Sequence, residues 1–176
     1  RRVLELRDDW AQAHLMLGTA LFLRGDHLTA RTELQRALEA DAGLLEARKV
    51  LARVHAALGE NEAAVEEGRR VLKEDPDSDA LHILVAQSLV RQRRFDEGMK
   101  ELMRIPEERR HAEVLYAMGR IDRLEGRPEE ARRRFQQALA QRPEQPRPGR
   151  GSAAQREGIT VSDQDVAAGR QREERA

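Results

Sequence analysis

The feature that most constrains this chain is a column of small residues that returns every 33 or 34 positions. Gly18, Ala52, Ala86 and Gly119 stand 34, 34 and 33 residues apart. Twelve residues beyond each comes a second small residue: Ala30, Ala64, Gly98 and Ala131. A third column holds Ala37, Val71, Ile105 and Ala138, and a fourth Gly25, Gly59, Arg93 and Gly126. Four columns in register mean internal repeats, each too thin to bury a core alone and stable only when stacked on its neighbours.

The spacing within a unit is that of two helices and a turn. Apolar residues recur at helical intervals, as in Leu17, Leu21, Leu34 and Leu38, then Leu51, Val54, Val65 and Leu72. Small side chains belong where the two helices cross, because bulk there would force the backbones apart. Glycine in the fourth column ends each first helix in the left-handed conformation. Asp75-Pro76 and Arg142-Pro143 close second helices, since proline cannot continue one. The pattern predicts helices over 10–24, 28–40, 44–58, 61–74, 78–92, 95–104, 110–125 and 128–141. The third unit is the weakest, with Arg93-Arg94 in place of the glycine turn and Pro106 cutting its second helix short.

Composition agrees with a stack. Charged residues make up 36% of the chain and aromatics 3%, which suits thin helical layers of Ala, Leu and Val better than one large core. Lys and Arg (32) balance Asp and Glu (32), which argues against general nucleic-acid binding through displaced counterions. Without cysteine there is no disulfide, thiolate chemistry or Cys-type zinc site. No apolar run approaches the ~20 residues that span a bilayer. The chain opens on Arg1-Arg2 with no signal-like stretch, so cytoplasmic and periplasmic locations are both allowed.

A helix–turn–helix period of this length resembles the tetratricopeptide repeat (TPR) family. The matching residues are Leu17-Gly18, the Gly25-Asp26 turn, Ala30, Ala37 and Asp75-Pro76, echoed by Gly119, Gly126, Ala131, Phe135, Ala138 and Pro143. The resemblance covers 9–143, with units at about 11–44, 45–78, 79–111 and 112–143. It implies an all-α fold of antiparallel helix hairpins stacked into a right-handed superhelical solenoid. One departure is that His14, Arg48, His82 and Leu115 replace the bulky aromatic usual near the start of the first helix.

The ends differ from the array. Residues 1–8 align with the end of a preceding repeat helix, Val3 and Leu4 taking the places of Ala37 and Leu38. The expectation is therefore a piece of a longer array, with Trp10 as filler after this stub. Its Arg- and Ala-rich composition looks like a GC-rich bacterial source. From 144 to 176 the period and the leucines vanish, and disorder is the expectation, apart from a short helix over 163–174 capped by Ser162 with Asp165. Such an abrupt change fits a tail that does not continue the native array, as after a frameshift or alternative splice.

No constellation for chemistry emerges. His14 and His82 share one repeat position two units apart, roughly 20 Å when helices pack ~8–10 Å from each other, too far to hold one ion. The pairs Glu66-Glu67, Glu107-Glu108 and Glu129-Glu130 sit beside Arg and Lys on helix surfaces, where neighbouring charges explain them. Arg132-Arg133-Arg134, the longest basic run, reads as a solvated face. No phosphate loop or nucleophile elbow is present. The chain is read as non-enzymatic, without metal or cofactor.

The resemblance implies a concave face lined by the first helices, at the fifth, ninth, twelfth and thirteenth positions counted from Ala11, Leu45, Asp79 and Ala112. These are Leu15, Thr19, Phe22 and Leu23; Lys49, Arg53, Ala56 and Ala57; Ile83, Gln87, Val90 and Arg91; and Tyr116, Arg120, Arg123 and Leu124. The set holds five cations and no acid, which suits a partner peptide with apolar anchors and carboxylates. The competing expectation is that Leu15, Phe22 and Ile83 pack between helices while the arginines are merely solvated. The clamp by which some TPR proteins hold acidic chaperone tails is not rebuilt: its places fall on Leu15, Thr19, Val50, Ala80 and Leu84. One repeat along they fall on Lys49, Arg53, Leu84, Glu113 and Ala117. The leading expectation is a protein–protein interaction scaffold. The alternative is an accessory repeat region of a larger enzyme or polysaccharide or protein export component. Uncapped ends would also permit self-association.

Overall fold

The computed structural model describes residues 2–141, with side chains from Trp10 onward. Among these residues there are eight α-helices: α1 Arg2–Leu23, α2 His27–Ala40, α3 Leu45–Leu58, α4 Asn61–Glu74, α5 Asp79–Arg91, α6 Phe95–Met103, α7 Ala112–Leu124 and α8 Pro128–Ala140. A single 3-10 turn, Glu107–Arg109, precedes α7. The expected bounds hold to within about two residues from α2 to α8. The first helix differs, because α1 runs unbroken from Arg2, so no boundary separates the expected stub from the first hairpin and Trp10 lies inside α1. The expected tail helix over 163–174, the Ser162 cap and the whole stretch 144–176 lie outside the described residues.

The turns inside the hairpins share one geometry. Gly25, Gly59 and Gly126 have φ of 85°, 78° and 77°, and Arg93 adopts the same left-handed conformation at 63°. In each turn the next amide donates back to a carbonyl in the last turn of the first helix: Asp26 to Leu21, Glu60 to His55, Arg94 to Leu89 and Arg127 to Asp122, at 2.8–3.0 Å. The third unit therefore keeps the fold of its neighbours and accepts an unfavourable backbone at Arg93, roughly 1 kcal/mol for a residue bearing Cβ. Its weakness lies further on, where α6 stops at Met103 and Pro106 diverts the chain into the 3-10 turn.

Close crossing explains the paired small columns. A Cβ on Gly18 would stand 2.7 Å from Leu34 Cγ and 3.2 Å from the Ala30 carbonyl, its partner twelve residues on. Added to Gly98, it would meet the Ala86 carbonyl at 3.2 Å. At Gly119 it would meet the Phe135 ring at 2.8 Å. The third column, Ala37, Val71, Ile105 and Ala138, is buried throughout. The apolar core is one cluster per pair of adjoining units, such as Leu15, Leu34, Val50, Leu51 and Val54 between the first and second.

The slot that lacks its aromatic residue is filled by polar pairs. His14 Nδ1 lies 2.7 Å from Glu33, Arg48 Nη1 3.1 Å from Glu67, and His82 Nδ1 2.7 Å from Glu101, each pair 19 residues apart. His82 and Glu101 are almost completely buried, and the ring's Nε2 also lies 3.0 Å from the Pro76 carbonyl. The fourth unit replaces the pair with Leu115 and Arg134. Arg134 turns instead to the buried carboxylate of Asp122, which Arg127 also reaches at 2.8 Å.

Each helix packs on the one before and the one after it. The odd helices α1, α3, α5 and α7 also touch in sequence, whereas no even helix touches another. The odd helices therefore form the tighter, inner layer of the stack and the even helices the outer one. Leu17, expected in the core, is 49% exposed because α1 has no described helix covering that side.

Candidate partner-binding groove

The inner layer brings the sequence-derived positions onto one surface but not all to the same depth. Leu15 and Ile83 are buried in the clusters between units, as the competing expectation had it. Thr19 is half-buried and donates its hydroxyl to the Leu15 carbonyl at 2.8 Å. Phe22 is half-buried beneath the guanidinium of Arg53, whose Cζ stands 5.2 Å from the ring centroid. Gln87, Arg91, Arg120 and Arg123 are exposed, and so is Tyr116, tilted against Phe135 at 5.6 Å.

Lys49 does not belong with the free cations. Its Nζ lies 3.2 Å from Asp75 and 3.6 Å from Glu46. The bond it donates to Asp75 is the main cause of a raised pKa, so this charge is already neutralised within the protein. An acid also joins the set, since Glu113 borders the hollows on either side of it. Four inner arginines remain from the five expected cations.

Those four differ from most of the others. Arg31, Arg36, Arg48, Arg69, Arg70, Arg94, Arg104, Arg109, Arg127 and Arg134 all pair with carboxylates. None of Arg53, Arg91, Arg120 and Arg123 forms an ion pair with a described residue. Arg24, Arg93, Arg110, Arg132 and Arg133 share that property, but they are scattered over turns and the outer helix α8, whereas the inner four stand on three successive helices of one face. Arg91 is nevertheless held in place, donating from Nη1 to the Ala56 carbonyl of the preceding unit at 2.8 Å. At the outer side Glu60 shows the opposite situation: His55 first, and then Arg31, hold its carboxyl below the ordinary range.

Between α3 and α5 lies a hollow of ≈ 280 Å³ lined by Ala56, Ala57, Ala80, Ile83 and Leu84. The hydroxyl of Ser88, buried and without a partner among the described residues, borders it. Between α5 and α7 a smaller one of ≈ 70 Å³ is floored by Ala86, Ala117 and Ile121 and rimmed by Arg120 and Tyr116. Gln87 and Arg91 line both, as a ridge between them. A third depression of ≈ 780 Å³ opens on α7 and α8 around Tyr116, Arg123, Phe135 and Leu139. Among the described residues no group of three or more His, Asp or Glu gathers closely enough to hold a metal ion. No helix among them is long and apolar enough to cross a membrane.

Sequence reasoning missed Ser88 and the ion pairs of the replaced aromatic slot. The second had a signal, because Glu33, Glu67 and Glu101 recur at the same 34-residue interval as His14, Arg48 and His82.

Stacked hairpins with an inner layer of first helices define an α-solenoid of helix–turn–helix repeats. Models of tetratricopeptide repeats match residues 1–44 and 15–79, 63–121, and 112–137. The chain belongs to the tetratricopeptide repeat family. Among solved structures, pilF of Pseudomonas aeruginosa is similar over 76% of this chain at 27% identity, with a TM-score of 0.64. The chain spans 62% of that structure's length. A thermophilic TPR protein of Thermus thermophilus is 26% identical over 74% of each chain, with a TM-score of 0.63. MamA of Desulfovibrio magneticus reaches a TM-score of 0.70 at 14% identity, over 74% of each chain, which shows the shared fold. No curated protein matches the sequence. Protein–protein interaction is typical of the family.

Proposed function

We propose that this chain is a binding scaffold whose inner groove holds a segment of a partner protein and that it performs no chemistry itself. One observation carries the reading. In a chain with equal numbers of acidic and basic residues, most of the described arginines outside the groove are paired, while the four gathered inside it meet no described carboxylate. Unpaired guanidiniums beside exposed aromatic and alanine surface are the features of a site awaiting both carboxylates and apolar side chains. The test compares wild type with the double variant Arg53→Glu, Arg120→Glu in affinity capture, followed by binding of the purified captured protein. The double variant is expected to stay folded by circular dichroism and to lose the partner. A partner held equally well by both proteins would remove the groove from consideration.

A second reading has its own observation. Ala47, Val50, Leu51 and Val54 of α3 are buried against the first hairpin. Their repeat equivalents on α1 are Ala13, Met16, Leu17 and Ala20, all exposed, with Met16 at 72%. At the other end Leu139 is 69% exposed where its equivalent Leu38 is packed. Among the described residues these two faces correspond to the two halves of the contact that joins the units, and a second copy, stacked head to tail, is the proposed occupant. Light scattering across concentration should then show association that Leu17→Glu prevents, and a strict monomer at every concentration would dismiss this reading.

A further inference from the structure

The geometry of the ridge between the two smaller hollows points to the kind of segment the groove takes. This inference rests on the groove reading above and deepens it. Arg91 stands on that ridge and is fixed there by its bond to the Ala56 carbonyl. That bond uses one of the five N–H donors of an exposed guanidinium and leaves the others without a partner among the described residues. On one side of it is the alanine-lined hollow of ≈ 280 Å³, on the other the ≈ 70 Å³ hollow above Ala117 and Ile121. The larger hollow is lined by Glu113 as well as Arg91 and the smaller by Arg91 and Arg120, while the other residues of both linings are uncharged.

We propose that the groove recognises an acidic segment in which a carboxylate sits on Arg91 between two apolar side chains, one in each hollow. Arg120, on the rim of the smaller hollow, receives a further carboxylate on the same side. Arg53 receives one two units away. Packed helices lie ~8–10 Å apart, so Arg53 and Arg120 are separated by roughly 20 Å. An extended chain covers about 3.3 Å per residue, so a segment that reaches both needs at least about six residues. The alanine side chains that line the larger hollow let a backbone approach closely. Carboxylate on guanidinium fixes position and register, while the hollows select the flanking residues.

The experiment is a selection from a random twelve-residue peptide display library on the full chain. The most enriched peptide is then synthesised with a fluorescein label and measured by anisotropy. Asp or Glu flanked on both sides by Leu, Ile, Val or Met is the expected pattern. Arg91→Gln should weaken that peptide at least tenfold, Arg91→Lys less, and rising salt should weaken it further. Ala117→Leu, which fills the smaller hollow, should act without changing the salt dependence. Circular dichroism confirms that each variant is folded, and a variant that is not is replaced by alanine substitution of the flanking residues in the peptide. Peptides that Arg53→Glu with Arg120→Glu abolishes, but which lack the acid-between-apolar pattern or ignore Arg91→Gln, would overturn this proposal alone. Failure to enrich any peptide, or enrichment of peptides indifferent to the double charge reversal, would overturn the groove reading together with it.

Discussion

The inner and outer layers of this solenoid treat positive charge in opposite ways. On the outer side and between the layers, most cations are consumed by structure. Arg48 lies against Glu67, Arg109 reaches across to Asp77 and Asp79, and the buried carboxylate of Glu101 is met by the ring of His82. On the inner side Arg53, Arg120 and Arg123 meet no described carboxylate. The difference separates what a repeat needs for folding from what it can present to a partner. A buried charge left alone is destabilising by several kcal/mol, so the first set is constrained by its partners. An exposed arginine costs the fold almost nothing, so the second set is free to be set by binding.

The contrast can be broken most forcefully at the buried pair. Glu101→Ala should destabilise the protein by about 1–3 kcal/mol in urea unfolding, because the buried His82 ring nitrogen then loses its hydrogen-bond partner. With Glu101 retained, His82→Arg should be tolerated better than Glu101→Ala in the same unfolding measurement, since Arg48 fills the equivalent place opposite Glu67 one unit earlier. Glu67→Ala removes a pair that retains some solvent contact, 22% and 13% exposure on its two sides, and should cost about 1–2 kcal/mol. A smaller effect is expected at Glu60. Its depressed pKa contributes stability that is present above its ordinary value near 4.5 and lost as the pH falls below it. Because that side chain is 36% exposed, the loss amounts to a few tenths of a kcal/mol, read as the difference between wild type and Glu60→Gln melts across that range. The smallest change belongs to the groove. Arg53→Glu with Arg120→Glu should leave stability within about 0.5 kcal/mol, while its effect on binding is large. A destabilisation there comparable to that of Glu101→Ala would erase the distinction between the layers.

Most of the fold was legible because the repeat writes its constraints at fixed intervals. Gly18 opposite Leu34 and Gly119 opposite Phe135 are close approaches that admit no alternative, so the small columns located the crossings without further information. Arg93 was harder. A residue with Cβ in a glycine turn reads as a break, and only the bond from Arg94 to the Leu89 carbonyl reveals that the turn persists. The start of α1 was misjudged for a different reason: residues aligned with a preceding helix have helical periodicity too, and nothing in a period says where two helices join. For the proposed groove, register placed the positions on the inner helices but did not give their depth. Leu15 and Ile83 sit at groove positions yet point into the contact between units, and Lys49 is neutralised by Asp75 from a helix end that its own repeat position does not reveal.

The close crossings have a consequence for how such a chain changes over generations. In the fourth hairpin the Phe135 ring occupies the space that a Cβ on Gly119 would need, at 2.8 Å, whereas the third hairpin places Ala86 at that position and Gly98 opposite it. The two helices of a hairpin thus share a single allotment of volume, divided differently from unit to unit. A recombination that exchanged α5 for α7 would bring the Ala86 methyl against the Phe135 ring, although each helix is sound in its own setting. Duplication, deletion or shuffling would therefore preserve this packing when it carries whole hairpins, so that the unit of exchange is the pair rather than the helix.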